Sequence, residues 1–156
     1  MNRIFADTEV GRKNIGFGIA LFLILGVLVG IPLTVDLLGG SLLTAAQYQA
    51  WKVLHGYGIF LAFVNFFFGY SIDRFNLTRR QKEISSWSFV IAGLFGGIGR
   101  SVLFLLSIPG GFGSYTASLI ETVGFVLGTF IFVRGLIAER PDQLLEQPAA
   151  MVSEPL

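Results

Sequence analysis

The sequence predicts an all-α integral membrane protein, a four-helix bundle with up-down-up-down topology and both termini in the cytoplasm. Of its 156 residues, 53% are apolar and only 13% are charged. Its mean hydropathy is +0.72. This composition is typical of a chain that faces lipid over most of its surface. The lengths of the apolar runs and the distribution of basic residues lead to the same prediction.

Four apolar runs are long enough to cross a bilayer, since each reaches the roughly 20 residues that a helix needs to span about 30 Å of hydrocarbon. Helices are expected because backbone polar groups in lipid must be satisfied within the segment. The first run is too long for a signal-peptide core, so we expect it to be retained. The runs cover 15–38, 51–72, 84–108 and 115–138.

The basic residues predict the orientation. Most of them precede the first run, fill the second connection or follow the fourth run, whereas only Lys52 lies on the other side. The positive-inside rule then predicts a multi-pass protein of the inner membrane, with both termini and the 74–83 connection in the cytoplasm. The basic residues on that side are Arg3, Arg12, Lys13, Arg74, Arg79, Arg80, Lys82, Arg134 and Arg140.

Three regions follow from this topology: an N-terminal cytoplasmic segment (1–14), the bundle (15–138) and a cytoplasmic tail (139–156). The outer connections, 39–50 and 109–114, are short, which favours antiparallel neighbouring helices. The tail is polar and contains three prolines, so we predict that it is disordered.

Composition also excludes several function classes. A net charge of +1 without a basic stripe indicates no nucleic-acid partner. The absence of cysteine excludes disulfides, thiolate metal sites, iron–sulfur clusters and covalently attached haem. The sequence has no GxSxG motif, so it does not support a serine hydrolase. It also has no internal repeat of the kind that is typical of secondary transporters.

Four ionisable residues, whose placement in hydrocarbon costs free energy, fall within the apolar runs: Asp36, His55, Arg100 and Glu121. At about 1.5 Å per residue, all four should lie in the outer half of the bundle. Ionisable groups at membrane depth are functional candidates. Arg100 and Glu121 also fit a structural ion pair. Asp36 is near enough to the interface to be solvated.

His55 is the only histidine of the chain. With Ile59, Ala62, Phe66 and Gly69 it falls within about 40° of one direction on its helix, and the small residues leave space for a flat ring. A hydrogen bond from His55 to a carbonyl would be a purely structural alternative.

Asn65 lies about 80° from that direction. It either lines the pocket or hydrogen-bonds between helices. Small residues also recur at four-residue spacing, which indicates close packing inside the bundle or between protomers. These pairs are Gly26 and Gly30, Gly93 and Gly97, and Gly124 and Gly128.

A single histidine cannot build a multi-histidine metal site, but haem takes its equatorial ligands from the porphyrin and needs only an axial imidazole. One histidine per chain therefore suits a haem, with His55 as the metal ligand and Ala62 and Phe66 beside the cofactor, while a role of His55 in proton transfer stays open. A haem is large for so small a bundle, which predicts a homo-oligomer with the ring at a subunit boundary.

The chain resembles the styrene oxide isomerase family of small four-span membrane enzymes and, more distantly, hydroxylaminobenzene mutase. The resemblance covers about residues 11–138 and rests on GRKNIGFG, VGIPLTVDLLGG and WKVLHG. It implies a homotrimer in which the histidine matching His55 binds haem b. It also implies that ferric iron acts as a Lewis acid, converting a small apolar epoxide to a carbonyl compound.

The chain departs from the family at two positions. Leu61 stands where the family has asparagine, and the family's third-span tyrosine aligns near Arg100 and Ser101. Arg100 and Asn65 are therefore the candidate catalytic contacts. Two alternatives remain open: a non-catalytic b-type haem electron-transfer subunit, and a cofactor-free structural membrane subunit in which His55 only hydrogen-bonds.

Overall fold

Four long apolar helices make up the computed structural model, which describes residues 10–105 and 112–138. Within those ranges there is no strand. Helix α1 covers Arg12–Leu37, α2 covers Ala45–Ser71 and continues as a 3₁₀ turn, Ile72–Arg74, and α4 covers Phe112–Ile137. Helix α3 comprises three consecutive segments: Arg79–Gly93, Leu94–Gly99 and Arg100–Leu105. The prediction of an all-α membrane bundle is confirmed.

Each helix begins before its predicted apolar run, and for α2 and α3 capping groups set the start. Thr44 caps α2 and Thr78 caps α3, each through a reciprocal capping box with the glutamine three residues later, Gln47 and Gln81. Both boxes are visible as Thr-x-x-Gln in the sequence. They place the polar first turns of α2 and α3 at opposite ends of the bundle.

We call the end that holds Arg12 and the 72–79 connection the basic end, and the end that holds the 38–44 connection the opposite end. At the basic end, Asp73 accepts a hydrogen bond from the Gly11 amide at 3.0 Å, and Lys13 pairs with Glu83. The predicted turn between α3 and α4 lies mainly outside the described residues, as do most of the N-terminal segment and the predicted disordered tail.

The core runs along the seams between the helices. Around α1 and α2 it is built from Leu21, Leu25, Leu61 and Ala62. Nearer the basic end, the rings of Phe68 and Phe89 contact each other at 4.3 Å between centroids, tilted by 39°, and join α2 to α3. Large apolar side chains on the outward faces are exposed, as expected for helices that contact lipid.

Two helices contain a π-helical segment, Phe22–Leu28 in α1 and Leu94–Gly99 in α3. In α1 this segment lies shortly before Pro32, which has no N–H to contribute to the helix. Such segments shift the backbone hydrogen-bond register and are frequent at functional sites. Nothing in the apolar pattern of the sequence predicted them.

Candidate functional site

His55 lies on the face of α2 that packs against α1, about three turns into the helix. Its Nδ1 is 3.2 Å from the backbone carbonyl oxygen of Leu25. In a regular α-helix the Val29 amide would donate to that carbonyl, but here it donates to the carbonyls of Ile24 and Gly26. The π-helical segment thus turns this amide away from Leu25, and the imidazole contacts the carbonyl.

This contact selects the tautomer of the neutral ring. A carbonyl oxygen can only accept, so the Nδ1 of His55 must carry the hydrogen. In the neutral imidazole the lone pair is then on Nε2, which is the form that binds a metal. Metal-binding histidines are usually oriented by such a bond from the second ring nitrogen.

Two glycines allow α1 and α2 to approach closely at this point. A Cβ on Gly30 would lie 2.9 Å from Cε1 of His55, so a side chain there would displace the imidazole. A Cβ on Gly58 would lie 2.3 Å from the Cβ of Leu25. A Cβ on Gly26 would lie 3.3 Å from Cγ1 of Ile59, so Gly26 and Gly30 both pack against α2, and Gly30 accommodates His55.

The imidazole lines an open groove of about 580 Å³ between α1 and α2, at the opposite end. Its size is within the range of ligand pockets. The lining is mostly apolar, and Thr34, Tyr48 and His55 are its polar side chains. The Thr34 hydroxyl donates to the Gly30 carbonyl at 2.9 Å, which leaves the Tyr48 phenol and the imidazole as the groups suited to a ligand. The lining residues are Gly26, Val27, Gly30, Ile31, Leu33, Thr34, Val35, Leu37, Tyr48 and His55.

Ala62 and Phe66 lie farther along the same seam. They line a smaller apolar groove of about 240 Å³ with Gly18, and this groove shares no lining residue with the His55 groove. Gly69 packs directly on the backbone of Gly11, so it opens no space for a ring. Contact of Ala62 and Phe66 with haem stays a prediction.

Arg100 and Glu121 form the predicted ion pair, with 2.9 Å between Nη2 and Oε2. The guanidinium also donates to Ser118 Oγ at 2.7 Å and lies 5.6 Å from the centroid of the Tyr57 ring. Glu121 is almost fully buried, with a side-chain exposure of 4%. The pair lies between α3 and α4, whereas His55 faces α1.

Asn65 belongs to a buried polar cluster instead of the His55 groove. Its Oδ1 accepts from Asn14 Nδ2 at 3.3 Å, and its own Nδ2 donates to the Leu61 carbonyl at 3.1 Å. Asn14 also hydrogen-bonds Ser86, and all three side chains are fully buried. The interhelical hydrogen bond, which was one of the two predicted alternatives, is observed. A catalytic role for Asn65 or Arg100 stays a prediction.

The four ionisable residues of the apolar runs do not lie together in one site. Asp36 accepts from the Leu42 amide at 2.7 Å and so stabilises the connection after α1. His55 contacts α1, and the pair of Arg100 and Glu121 joins α3 to α4. Tyr48, Gly58 and the Leu25 carbonyl were not predicted from the sequence. Tyr48 lies seven residues, about two turns, before His55 and therefore on a similar face of α2, a signal that was available.

No protein-family model matches the chain, and the searches of curated proteins and of solved structures gave no match.

Proposed function

We propose that this protein is an inner-membrane haem b isomerase that converts a small apolar epoxide to a carbonyl compound, with His55 as the axial ligand. The observation that carries the proposal is the hydrogen bond from Nδ1 of His55 to the Leu25 carbonyl, which leaves Nε2 as the ligand atom. The distribution of basic residues supports an orientation with both termini in the cytoplasm. The activity itself is taken from the resemblance to styrene oxide isomerases.

The donor set fits haem better than a free metal ion. Among the described residues, no group of three or more histidine, cysteine or carboxylate side chains could hold an ion. Haem needs only one axial protein ligand. Gly26 and Gly30 line the groove beside the imidazole and carry no side chains that would fill it. Most of the remaining lining is aliphatic.

Ferric haem bound there would supply a Lewis acid that withdraws electron density from an epoxide oxygen. The residues of the chain have separate roles in this proposal. His55 would hold the cofactor, and the Leu25 carbonyl orients its imidazole. Tyr48 can donate a hydrogen bond to the substrate oxygen. The aliphatic lining excludes water, which would otherwise trap the ring-opened substrate as a diol.

A second copy of the chain is expected to complete the site. The groove is open toward the outside of a four-helix bundle that has little interior volume for a porphyrin. We therefore propose a homo-oligomer, and the family resemblance favours a trimer. Native mass spectrometry of the haem-loaded protein should give a multiple of the chain mass. A monomer that binds one haem per chain would contradict this part of the proposal.

The test uses His55→Ala and His55→Gly in detergent or nanodiscs. Both variants should lose or strongly shift the Soret band while remaining inserted and helical. Imidazole added to His55→Gly should restore the band, because it can enter the space that the side chain vacates. A wild-type protein that never acquires haem, or an unchanged spectrum in the variants, would refute the cofactor assignment.

The activity is tested separately with a panel of aryl epoxides. Haem-loaded protein should produce the aldehyde without a redox partner, and His55→Ala should not. Haem binding without aldehyde would refute the isomerase assignment. Rapid reduction by a quinol in that case would favour the electron-transfer alternative.

A further inference from the structure

The ion pair of Arg100 and Glu121 is incomplete. It is made by one contact, from Nη2 to Oε2, although an arginine and a carboxylate can pair through two parallel hydrogen bonds. The Nε of Arg100 and the Oε1 of Glu121 are both buried and have no hydrogen-bond partner within the described parts of the chain. A buried donor and a buried acceptor are therefore left on the same pair of side chains.

The packing of Glu121 on α3 explains why the pair does not close on itself. A Cβ on Gly96 would lie 2.4 Å from Cδ of Glu121 and 2.5 Å from its Oε1. The carboxylate thus occupies a notch, the space that a side chain at position 96 would fill, and Oε1 packs against the backbone of α3.

The notch lies in the π-helical segment of α3. The Arg100 amide would donate to the Gly96 carbonyl in a regular α-helix, but it donates to the carbonyls of Phe95 and Gly97. The same shift in α1 turns the Val29 amide away from the carbonyl that His55 contacts. In α3 the altered backbone lies directly beside the unpartnered oxygen of Glu121.

We propose that the Arg100–Glu121 pair binds one small neutral hydroxyl compound, which donates to Glu121 Oε1 and accepts from Arg100 Nε. The charges of the two side chains compensate each other, so a neutral ligand is favoured over an ion. Because Glu121 is almost fully buried, the proposed ligand is small: water or the hydroxyl end of a small alcohol. Access is from the side of Arg100, whose side chain is 37% exposed. This site is separate from His55 and does not depend on haem.

The test observes the Nε–H of Arg100 by nuclear magnetic resonance in ¹⁵N-arginine-labelled protein in nanodiscs. Arg100→Lys assigns the signal. We expect cross-relaxation from this hydrogen to bound water, and after addition of methanol to the methyl protons of methanol. A signal to water alone identifies water as the ligand, and a methanol signal shows that the site takes alcohols. Absence of both signals would overturn the proposal.

Glu121→Gln keeps the size of the side chain but can place an N–H₂ donor where the acceptor Oε1 stood. It should lose the cross-relaxation while the other arginine signals stay in place. Glu83→Gln, in the more exposed pair with Lys13, is the matched control and should leave the signal unchanged. Full retention in a folded Glu121→Gln protein would also overturn the proposal.

Discussion

Substitution of Gly30 by alanine tests the geometry of the His55 site most directly. The added Cβ would lie 2.9 Å from Cε1 and 3.3 Å from Nδ1 of His55. The first distance is shorter than a carbon–carbon contact allows, so the imidazole must move. The ring is the end of a flexible side chain, and we therefore expect it to rotate away from Leu25 without unfolding the bundle.

The expected magnitude follows from the loss of the orienting hydrogen bond. Removal of the hydrogen-bond partner of a metal-binding histidine typically lowers metal affinity by about 10- to 100-fold. Each factor of ten corresponds to about 1.4 kcal/mol. The stability of the helix should change little or rise slightly, because alanine is favoured over glycine in a helix interior by about 0.8–1 kcal/mol.

Haem titration followed by absorbance gives the affinity, and the ¹⁵N spectrum of the single histidine reports the Nδ1–H bond in the same samples. Gly16→Ala is the matched control, since it lies in the same helix and an added Cβ there meets nothing within 4 Å. It should bind haem as the wild type does. Wild-type haem affinity in Gly30→Ala, together with a shifted histidine signal, would show that the bond to Leu25 does not support the cofactor.

Two further predictions concern stability, measured by reversible unfolding in mixed detergent. Arg100→Ala should lower the free energy of unfolding by about 3–5 kcal/mol, because it leaves Glu121 buried and unpaired. Lys13→Ala breaks a pair with exposures of 30% and 40% and should cost about 0–1 kcal/mol. Equal costs would contradict the burial of the first pair. A double-mutant cycle of Asn14→Ala and Asn65→Ala should give a coupling of about 0.6–2 kcal/mol, and strictly additive costs would contradict the buried hydrogen bond.

The sequence predicted the fold well because hydropathy and helix length are local properties in a bilayer. The number of helices and their order follow from four apolar runs and short connections. The ion pair of Arg100 and Glu121 was also predictable, since neither charge is tolerated alone in hydrocarbon. The helix starts were missed by three to six residues, although the Thr-x-x-Gln boxes at Thr44 and Thr78 were readable.

The arrangement of the candidate site was less predictable. Depth along the membrane can be counted from the sequence, so Asp36, His55 and Arg100 were expected at one level. Their directions depend on helix rotation, which the packing of glycines against neighbouring helices determines. Gly58 against Leu25 and Gly30 against His55 turn the imidazole toward α1, whereas the guanidinium lies near Tyr57.

The two π-helical segments connect the fold to both proposed sites. Each shifts one backbone amide, Val29 in α1 and Arg100 in α3, away from the carbonyl four residues before it. In lipid a carbonyl without a partner costs several kcal/mol, so such a shift is tolerated where other groups contact the backbone. In α1 the His55 imidazole donates to such a carbonyl, whereas in α3 the Glu121 carboxylate, which only accepts hydrogen bonds, packs against the backbone at Gly96. His55 and Glu121 thus lie where the helices depart from regular geometry, which links the irregular backbone to the two proposed sites.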